Sequence, residues 1–459
     1  MSVRNKAGTA PLASEPVSRY LWLKLSLLAV CVLASGLSCP AVTPQKPTAS
    51  PVPDNGQVAL FFTGNELGAL KPCGCFGGQL GGLEKRGSIF RRVEPARRLI
   101  IDTGDLVAGD REQDLIKFRI LLEAYGLLGY DLVHLTSRDT EPAARLNLQA
   151  DGDRPYEIIS PAAGQEAPRS QRFVKQLATG AGTIAVNVAT LDLRQSSIDR
   201  TADVFPQGAA AKAINVLIVS DAADKTIQDL VAAAPPALDC IVYPAQADEP
   251  QLFTGPGERP LVFSVGRFGR HICRLNVNAS APTGEIALGF EDIPVVASLP
   301  EEPALVQLYR SYQQLVKESN LLRDYARIPL PDDLTYVGSK ACEKCHEYEY
   351  GQWATKAHAD AFATLERVGS DYDPECVVCH VVGMEYAGGF ITAQETPHLK
   401  NVGCENCHGP GSEHAGTLRQ APTVEPKMAC LQCHTPEHSA GYAGHEAEFL
   451  EKIVHWREP

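Results

Sequence analysis

From Gln57 onward, short apolar runs alternate with amphipathic stretches. Val58-Ala59-Leu60-Phe61-Phe62 carries no polar position, the pattern of a strand covered on both faces. Leu83 to Val93 predicts a basic helix, and Leu99-Ile100-Ile101-Asp102 a strand ending at Thr103-Gly104-Asp105. Asp110 to Leu128 predicts a helix with Leu115, Phe118, Leu121 and Leu122 on one face. Further strands are expected at Leu132 to Leu135, Thr183 to Ala189, Val216 to Val219, Cys240 to Tyr243, Leu261 to Val265 and Ile272 to Val277. Strands alternating with helices predict an α/β sandwich. Residues 141–182 have no clear period. Pro300 to Leu330 places Leu305, Leu308, Tyr312, Leu315 and Leu322 at helical spacing, which predicts one long linking helix ended by Pro329 and Pro331. Beyond it aliphatic runs become sparse. The fold class expected is multidomain α+β: an N-terminal α/β sandwich, a long linking helix and a mainly α C-terminal domain.

At 459 residues the chain has room for two or three domains. Its 44% hydrophobic and 21% charged residues are those of an ordinary globular protein. The formal net charge of -13 argues against nucleic acid and anionic membranes as partners, and suits a basic partner surface. Residues 1–39 read as an export signal. Arg4, Lys6, Arg19 and Lys24 precede or enter an apolar core from Leu21 to Leu37 that is short for a membrane span. Gly36-Leu37-Ser38-Cys39 is an imperfect lipobox, so Cys39 is either a lipid anchor or close to a simple cleavage point. Residues 40–56 read as a Pro-rich tether.

The sparse C-terminal stretch has its own repeat. Cys-x-x-Cys-His occurs four times: at Cys342, Cys345 and His346; at Cys376, Cys379 and His380; at Cys404, Cys407 and His408; and at Cys430, Cys433 and His434. This pentapeptide reads as a c-type haem attachment: two thiols three positions apart reach the vinyl groups of one porphyrin edge, and the adjacent His binds the iron. Four copies imply four covalent haem c groups, with the porphyrins serving as the core that the sequence lacks. Attachment of this kind takes place outside the cytoplasm, in agreement with the export signal. Six more histidines (His358, His398, His414, His438, His445 and His455) lie in the same region and could supply sixth ligands, since bis-His ligation makes low-potential electron carriers.

The region from Tyr336 resembles the tetrahaem cytochrome c-554 family. The carrying pieces are Tyr336-Val337-Gly338, Cys342 to His346, Trp353 followed by His358, Val402 to Gly411, and His414. The resemblance implies His358, His414 and His455 as distal ligands, with His398 next and Met384 a further candidate. The family keeps one haem five-coordinate, by position the second, at His380. His438 and His445 lie in a polar loop and are expected to be exposed.

Residues 57–298 resemble calcineurin-like metallophosphoesterases of the periplasmic 5′-nucleotidase type. The carrying pieces are Gly81 to Arg86, Ile101 to Asp105, Leu128-Gly129-Tyr130-Asp131 and Val265 to Arg270. The metal motifs do not carry over. Asn65 and Leu67 stand where the first motif has Asp and His, and Thr136-Ser137-Arg138-Asp139 replaces Gly-Asn-His-Glu. Pro244 to Ala247 replaces the late histidines, and Asp105 alone remains as a ligand. A two-metal hydrolase needs several converging ligands. In place of the first motif comes Cys73-Gly74-Cys75, which could be a strained disulfide, a dithiol, soft-metal ligands, or a Gly-rich loop with two incidental thiols. Cys240 and Cys273 sit in apolar runs and read as buried core thiols.

The domains expected are 1–39, 40–56, 57–298, a helical linker 299–335, and a tetrahaem domain 336–459. The leading function is electron transfer outside the cytoplasm, with other cytochromes or a quinol-oxidising complex as partners. The N-terminal domain would dock a partner or present the Cys-Gly-Cys loop. The first alternative is an oxidoreductase, acting on a small nitrogen species at an open haem or on thiols at Cys73 and Cys75. The second is a phosphoesterase.

Overall fold

The computed structural model describes residues 57–72, 79–148, 154–160, 172–180, 182–194, 213–221, 224–254, 258–279, 286–331, 334–417, 430–435, 438–439 and 441–456. The export segment, the tether with Cys39, and the loop with Cys73 and Cys75 lie outside them.

The described strands are β1 (Val58–Thr63), β2 (Arg98–Asp102), β3 (Leu132–His134), β4 (Glu157–Ile159), β5 (Arg172–Thr179), β6 (Gly182–Asp192), β7 (Ala213–Ser220), β8 (Cys240–Pro244), β9 (Gln251–Leu252), β10 (Leu261–Val265), β11 (His271–Ala279) and β12 (Ile286–Pro294). They form two six-stranded sheets, ordered β12-β11-β1-β2-β3-β4 and β5-β6-β7-β8-β10-β9. In the first sheet β1 to β4 run parallel, and β11 and β12 join antiparallel. In the second, β6, β7, β8 and β10 run parallel between antiparallel edges β5 and β9.

Side-chain alternation decides what each face meets. Val58, Leu60 and Phe62 of β1 point between the sheets, against Val186, Val216 and Phe263 of the same buried cluster. Ala59 and Phe61 point the other way, into a cluster covered by α1 (Leu83–Phe90), α2 (Glu112–Leu128) and, later in the chain, α5 (Pro303–Glu318). The outer face of the second sheet packs Leu217, Ile241 and Val262 against Ile227 and Leu230 of α4 (Asp224–Ala232). Burying each such side chain stabilises the fold by about 1.5–3 kcal/mol. Cys240 and Cys273 are fully buried between the sheets, and burial drives both thiol pKa values well up.

The unassigned stretch 141–182 holds most of α3 (Thr140–Arg145), with β4 and β5. β5 alternates weakly because it is an edge strand with one face open, and β4 is only three residues long. The helix expected from Pro300 to Leu330 is shorter. α5 ends at Glu318, Asn320 takes φ 51°, and Ile328 instead bridges to Tyr386. From Ser339 onward, short helical turns surround one small apolar cluster of Leu322, Phe362, Leu365, Val377, Phe390 and Leu399 with their neighbours. Among the described residues no helix is long and apolar enough to cross a membrane.

A polar network sits inside the first sheet. Asp102 accepts hydrogen bonds from Thr63 Oγ1 at 2.7 Å, Tyr125 OH at 2.8 Å and the Gly104 N–H at 3.0 Å. Burial, then the nearby Glu66, push its pKa up to about 7 against those bonds. The folded state therefore holds a proton that the unfolded chain releases near pH 4. This stabilisation is complete below about pH 4 and is lost as pH rises through about 7. Asp102→Asn should flatten this slope, because the two hydroxyls can turn to accept from the amide. Chemical denaturation followed across pH 4–8 checks it, and an unchanged slope counts against the assignment.

Candidate functional site

Two regions carry the chemistry the sequence points to: the loops at the carboxyl ends of the first sheet, and the cysteine–histidine repeats.

At the sheet edge the motif positions bond to one another. Asn65 Nδ2 donates to the Ala245 carbonyl at 2.8 Å, bridging the two sheets. Asp139 accepts from the N–H groups of Asp105, Leu106 and Thr136, each at 2.9 Å. Burial, then Asp105, raise its pKa to about 7, opposed by the Thr136 and Leu106 bonds. Thr136 Oγ1 donates to Asp105 Oδ1 at 2.7 Å. Asn65, Leu67 and Asp105 all have positive φ, so the tight loops of a strand-end site persist. Their polar groups now close the loops on themselves. Among the described residues no group of three or more His, Cys, Asp or Glu side chains is placed to hold a metal ion. His134 is buried in β3, its Nδ1 2.9 Å from the Thr103 carbonyl, and burial lowers its pKa. His271 pairs with Asp292 at 2.7 Å.

In the C-terminal region the histidines face one another in pairs. The His346 and His414 rings are 6.2 Å apart centre to centre, His358 and His434 6.4 Å, and His408 and His455 6.3 Å. Two imidazoles on one metal need two metal–nitrogen bonds of about 2.0 Å, plus about 1.1 Å from each nitrogen to its ring centre, or about 6.2 Å in all. The donor set and spacing fit a metal held between each pair. The ring nitrogens agree. His455 Nδ1 lies 2.9 Å from the Ile453 carbonyl, and His434 Nδ1 2.9 Å from Ser439 Oγ. His380 Nδ1 lies 2.6 Å from the Ala361 carbonyl. A hydrogen bond at Nδ1 fixes the ring and leaves Nε2 as the ligand atom.

His380 has no imidazole facing it at this distance among the described residues. It lines a cavity of about 1360 Å³ shared with Cys376, Cys379, Cys430, Cys433 and His434. His398 is exposed, with its carbonyl and ring edge packed against Gly338. Met384 is buried in the apolar cluster. His438 and His445 are exposed.

The cysteines also meet across motifs. A hydrogen bond between Cys342 and Cys404 pushes the Cys342 thiol up and the Cys404 thiol down, to about 6. A similar bond to Cys379 pushes Cys433 up. Burial, then Cys430, raise Cys407. The first and third attachment points are therefore neighbours, as are the second and fourth, and the third and fourth.

Cys345 differs from the other seven motif cysteines. It is exposed, whereas Cys342, Cys376, Cys379, Cys404, Cys407, Cys430 and Cys433 are all partly buried. The cause is local. The short helix Ser339–Cys342 ends before Cys345, and Lys344 to Tyr348 form an exposed rim of the C-terminal region. Protein packing alone therefore does not enclose Cys345. Its place as a haem anchor rests on its spacing from Cys342 and on His346 beside it, whose ring faces His414.

Trp353 and Glu405 stand out in the sequence as family-like residues, but their part in holding this arrangement does not. Glu405, buried inside the third motif, accepts from the N–H groups of Val337 at 3.0 Å, Gly338 at 2.7 Å and Gly411 at 2.7 Å. It thereby ties the turn before the first motif to the helix Ser412–Thr417 that carries His414. Trp353 Nε1 donates to the Val402 carbonyl at 3.0 Å, and the Val402 N–H donates to the His358 carbonyl at 3.1 Å. Tyr442 stacks on His434 at 4.7 Å. The signal for Glu405 was a carboxylate between two haem cysteines followed by Gly-Pro-Gly; its partners are far off in sequence.

Residues 341–409 match the family described as cytochrome c554 and c-prime. The C-terminal part resembles cytochrome c554. Cytochrome c-554 of Nitrosomonas europaea is 31% identical over 138 residues, which is 27% of this chain and 57% of that protein, so this chain spans little more than half of that relative. Covalently bound haem c follows from this family. Similar solved structures include a 5′-nucleotidase precursor of Thermus thermophilus, 15% identical over 69% of this chain and 68% of that one, TM-score 0.42. Another is the calcineurin-like phosphoesterase YfkN of Bacillus subtilis, 13% identical over 56% and 97%, TM-score 0.42. The N-terminal part is an α/β sandwich of two six-stranded sheets, as described above.

Proposed function

We propose that this protein is an exported tetrahaem cytochrome c that passes electrons outside the cytoplasm. The observation that carries the reading is the set of three histidine pairs, at 6.2, 6.4 and 6.3 Å. Haem c supplies a one-electron iron couple when bound. The chain's part is to hold it. Cys342 with Cys345, Cys376 with Cys379, Cys404 with Cys407 and Cys430 with Cys433 anchor the four groups, and His346, His380, His408 and His434 are the proximal ligands. His414, His358 and His455 are the distal ligands of the first, fourth and third sites. The meeting thiols favour the electron order first, third, fourth, second. Domain limits of 57–298, 299–335 and 336–459 suit this division. Export by residues 1–39, with or without a lipid on Cys39, puts the protein among periplasmic or outer-surface cytochromes or a quinol-oxidising complex. The charge of -13 suits a basic docking face on such a partner.

One observation favours a second reading, an oxidoreductase. Among the described residues no imidazole faces His380 at the distance seen in the three pairs, which leaves its sixth position to a small ligand such as a nitrogen oxide. Thiol chemistry at Cys73 and Cys75, which lie outside the described residues, belongs to this second reading on their sequence alone. Phosphoesterase activity is the least favoured, since Asn65, Thr136 and Asp139 spend their polar groups on one another and on the backbone.

Haem quantification and spin-state spectroscopy of the oxidised full-length protein test both readings. Four haems per chain are expected, three low-spin and one high-spin. Fewer than four removes the tetrahaem reading, and four low-spin signals remove the open-site oxidoreductase. Failure to exchange electrons with small-molecule reductants would sink electron transfer.

A further inference from the structure

The second motif is the one that α2 of the N-terminal domain and α5 of the linker grip. Gln313 Nε2 on α5 donates to the carbonyls of Val368 at 2.8 Å and Gly369 at 3.1 Å. Tyr312 OH and Gln113 Nε2 donate to the two carboxylate oxygens of Asp373, at 2.8 and 2.7 Å. Asp373 in turn accepts the Glu375 N–H at 3.0 Å, which caps the short helix Pro374–Val377 carrying Cys376. Lys317 lies over the Tyr372 ring at 4.7 Å. These contacts all fall between Val368 and Asp373, directly ahead of the second motif.

One further contact brings charge to the cavity. Lys117 of α2 forms an ion pair with Glu375 at 2.5 Å, its side chain 7% exposed against 55% for Glu375. Both residues line the cavity that holds Cys376, Cys379 and His380. Gly68, at φ +83°, backs the lysine: a Cβ there would meet Lys117 Cδ at 3.0 Å. The ammonium is thus pinned between the first strand-end loop and the residue next to Cys376. A charge held in a partly dry site acts on a nearby redox centre far more than a solvated one does.

We propose that the N-terminal domain tunes the second haem electrostatically, through the Lys117–Glu375 pair seated on α2. Lys117 is a positioning residue for that site: its partner Glu375 adjoins Cys376, so the pair acts on the second site more than on the other three. The inference rests on the reading that haem c is attached at Cys376 and Cys379. Reduction adds one electron, so a nearby cation favours the reduced state and an anion opposes it. Removing either partner therefore acts with opposite sign. Lys117→Met should make one of four components of a redox titration harder to reduce, and Glu375→Gln should make it easier. The Lys117→Met shift should be about tenfold in the reduction equilibrium, or about 59 mV for one electron, and the Glu375→Gln shift smaller because that carboxylate is half exposed. The double variant should return toward the parent value.

The experiment is spectroelectrochemical titration of the full-length holoprotein, with haem content quantified first. Glu375 is half exposed, so Glu375→Gln leaves the fold intact and keeps the test open if Lys117→Met is unstable. Opposite shifts largest in one component support the proposal. Shifts of equal sign, shifts spread evenly over all four components, or no shift with four haems in place overturn it. A parent protein lacking the second haem overturns the cofactor reading, and this inference with it.

Discussion

Replacing His358 with alanine is expected to double the number of haems that bind carbon monoxide in the reduced protein, from one to two. The His358 ring stands 6.4 Å from His434, the spacing of two imidazoles on one iron. Its backbone is fixed by the Val402 N–H bond and, through Val402, by Trp353. Burial lowers its pKa, as does the proximity of His434 and His380, so the ring is neutral and its nitrogen free to bind at neutral pH. Removing it opens the fourth site, while the proximal His434 stays held by Ser439 and stacked on Tyr442. His438 lines the cavity beside His358 and is an imidazole that could swing in. His358→Ala with His438→Ala should therefore give the same count of two. His398→Ala should leave it at one, because that side chain is exposed beside Gly338. Carbon monoxide titration of the dithionite-reduced protein reads the count directly. A value still at one in the double variant removes His358 from the ligand set.

The four pentapeptides were plain in the sequence because attachment chemistry demands contiguous residues. Contiguity did not tell how each thiol is enclosed: Cys345 lies on an open rim while Cys342, three positions earlier, meets Cys404. The facing histidines are not contiguous with what they face. His414 lies 68 positions after His346, and His358 lies 76 positions before His434. Composition marked the region as rich in histidine, and a family resemblance singled out three. Which ring faces which depends on tertiary ties such as Glu405 and Trp353, whose partners are likewise remote. In the N-terminal part, strands covered on both faces announced themselves as continuous apolar runs. Edge strands did not: β5 exposes alternate residues, and β9 is two residues long. The departures from the metal motifs of the family that residues 57–298 resemble were legible as substitutions. The self-satisfying network at those positions was not, since Asn65 finds its partner at Ala245 on the opposite sheet. The grip on Val368 to Glu375 was hidden for the same reason: Gln113 and Lys117 look like ordinary surface positions of a helix until the second motif is laid across them.

Arg86→Met is expected to destabilise the N-terminal domain by about 3–5 kcal/mol while leaving the haem spectrum unchanged. Arg86 and Glu66 both have side chains with no exposure, and Nη2 meets Glu66 Oε2 at 2.6 Å. The guanidinium also donates to the Gly269 carbonyl at 3.3 Å and to Tyr130 OH at 3.4 Å. Burial works against its charge, but Glu66 and Tyr130 outweigh it and hold the pKa above its ordinary value. A buried pair adds little over a hydrophobic pair of the same shape, yet removing one half strands the other. Glu66 Oε1 already lacks a partner, so methionine would leave the whole carboxylate uncompensated beside Asp102. Backbone geometry adds to the demand. Gly269 has φ +56°, and a Cβ there would lie 1.7 Å from Arg86 Nη2, so the loop was shaped around the arginine. Glu66→Gln with Arg86→Met removes the stranded charge and should recover a large part of the loss. Denaturant unfolding followed by far-ultraviolet circular dichroism, alongside the Soret band, separates the two domains. A loss under about 1 kcal/mol would mean the pair is not the internal brace its burial implies, and a changed Soret band would mean the brace reaches the haems through Gly269 and the cavity wall.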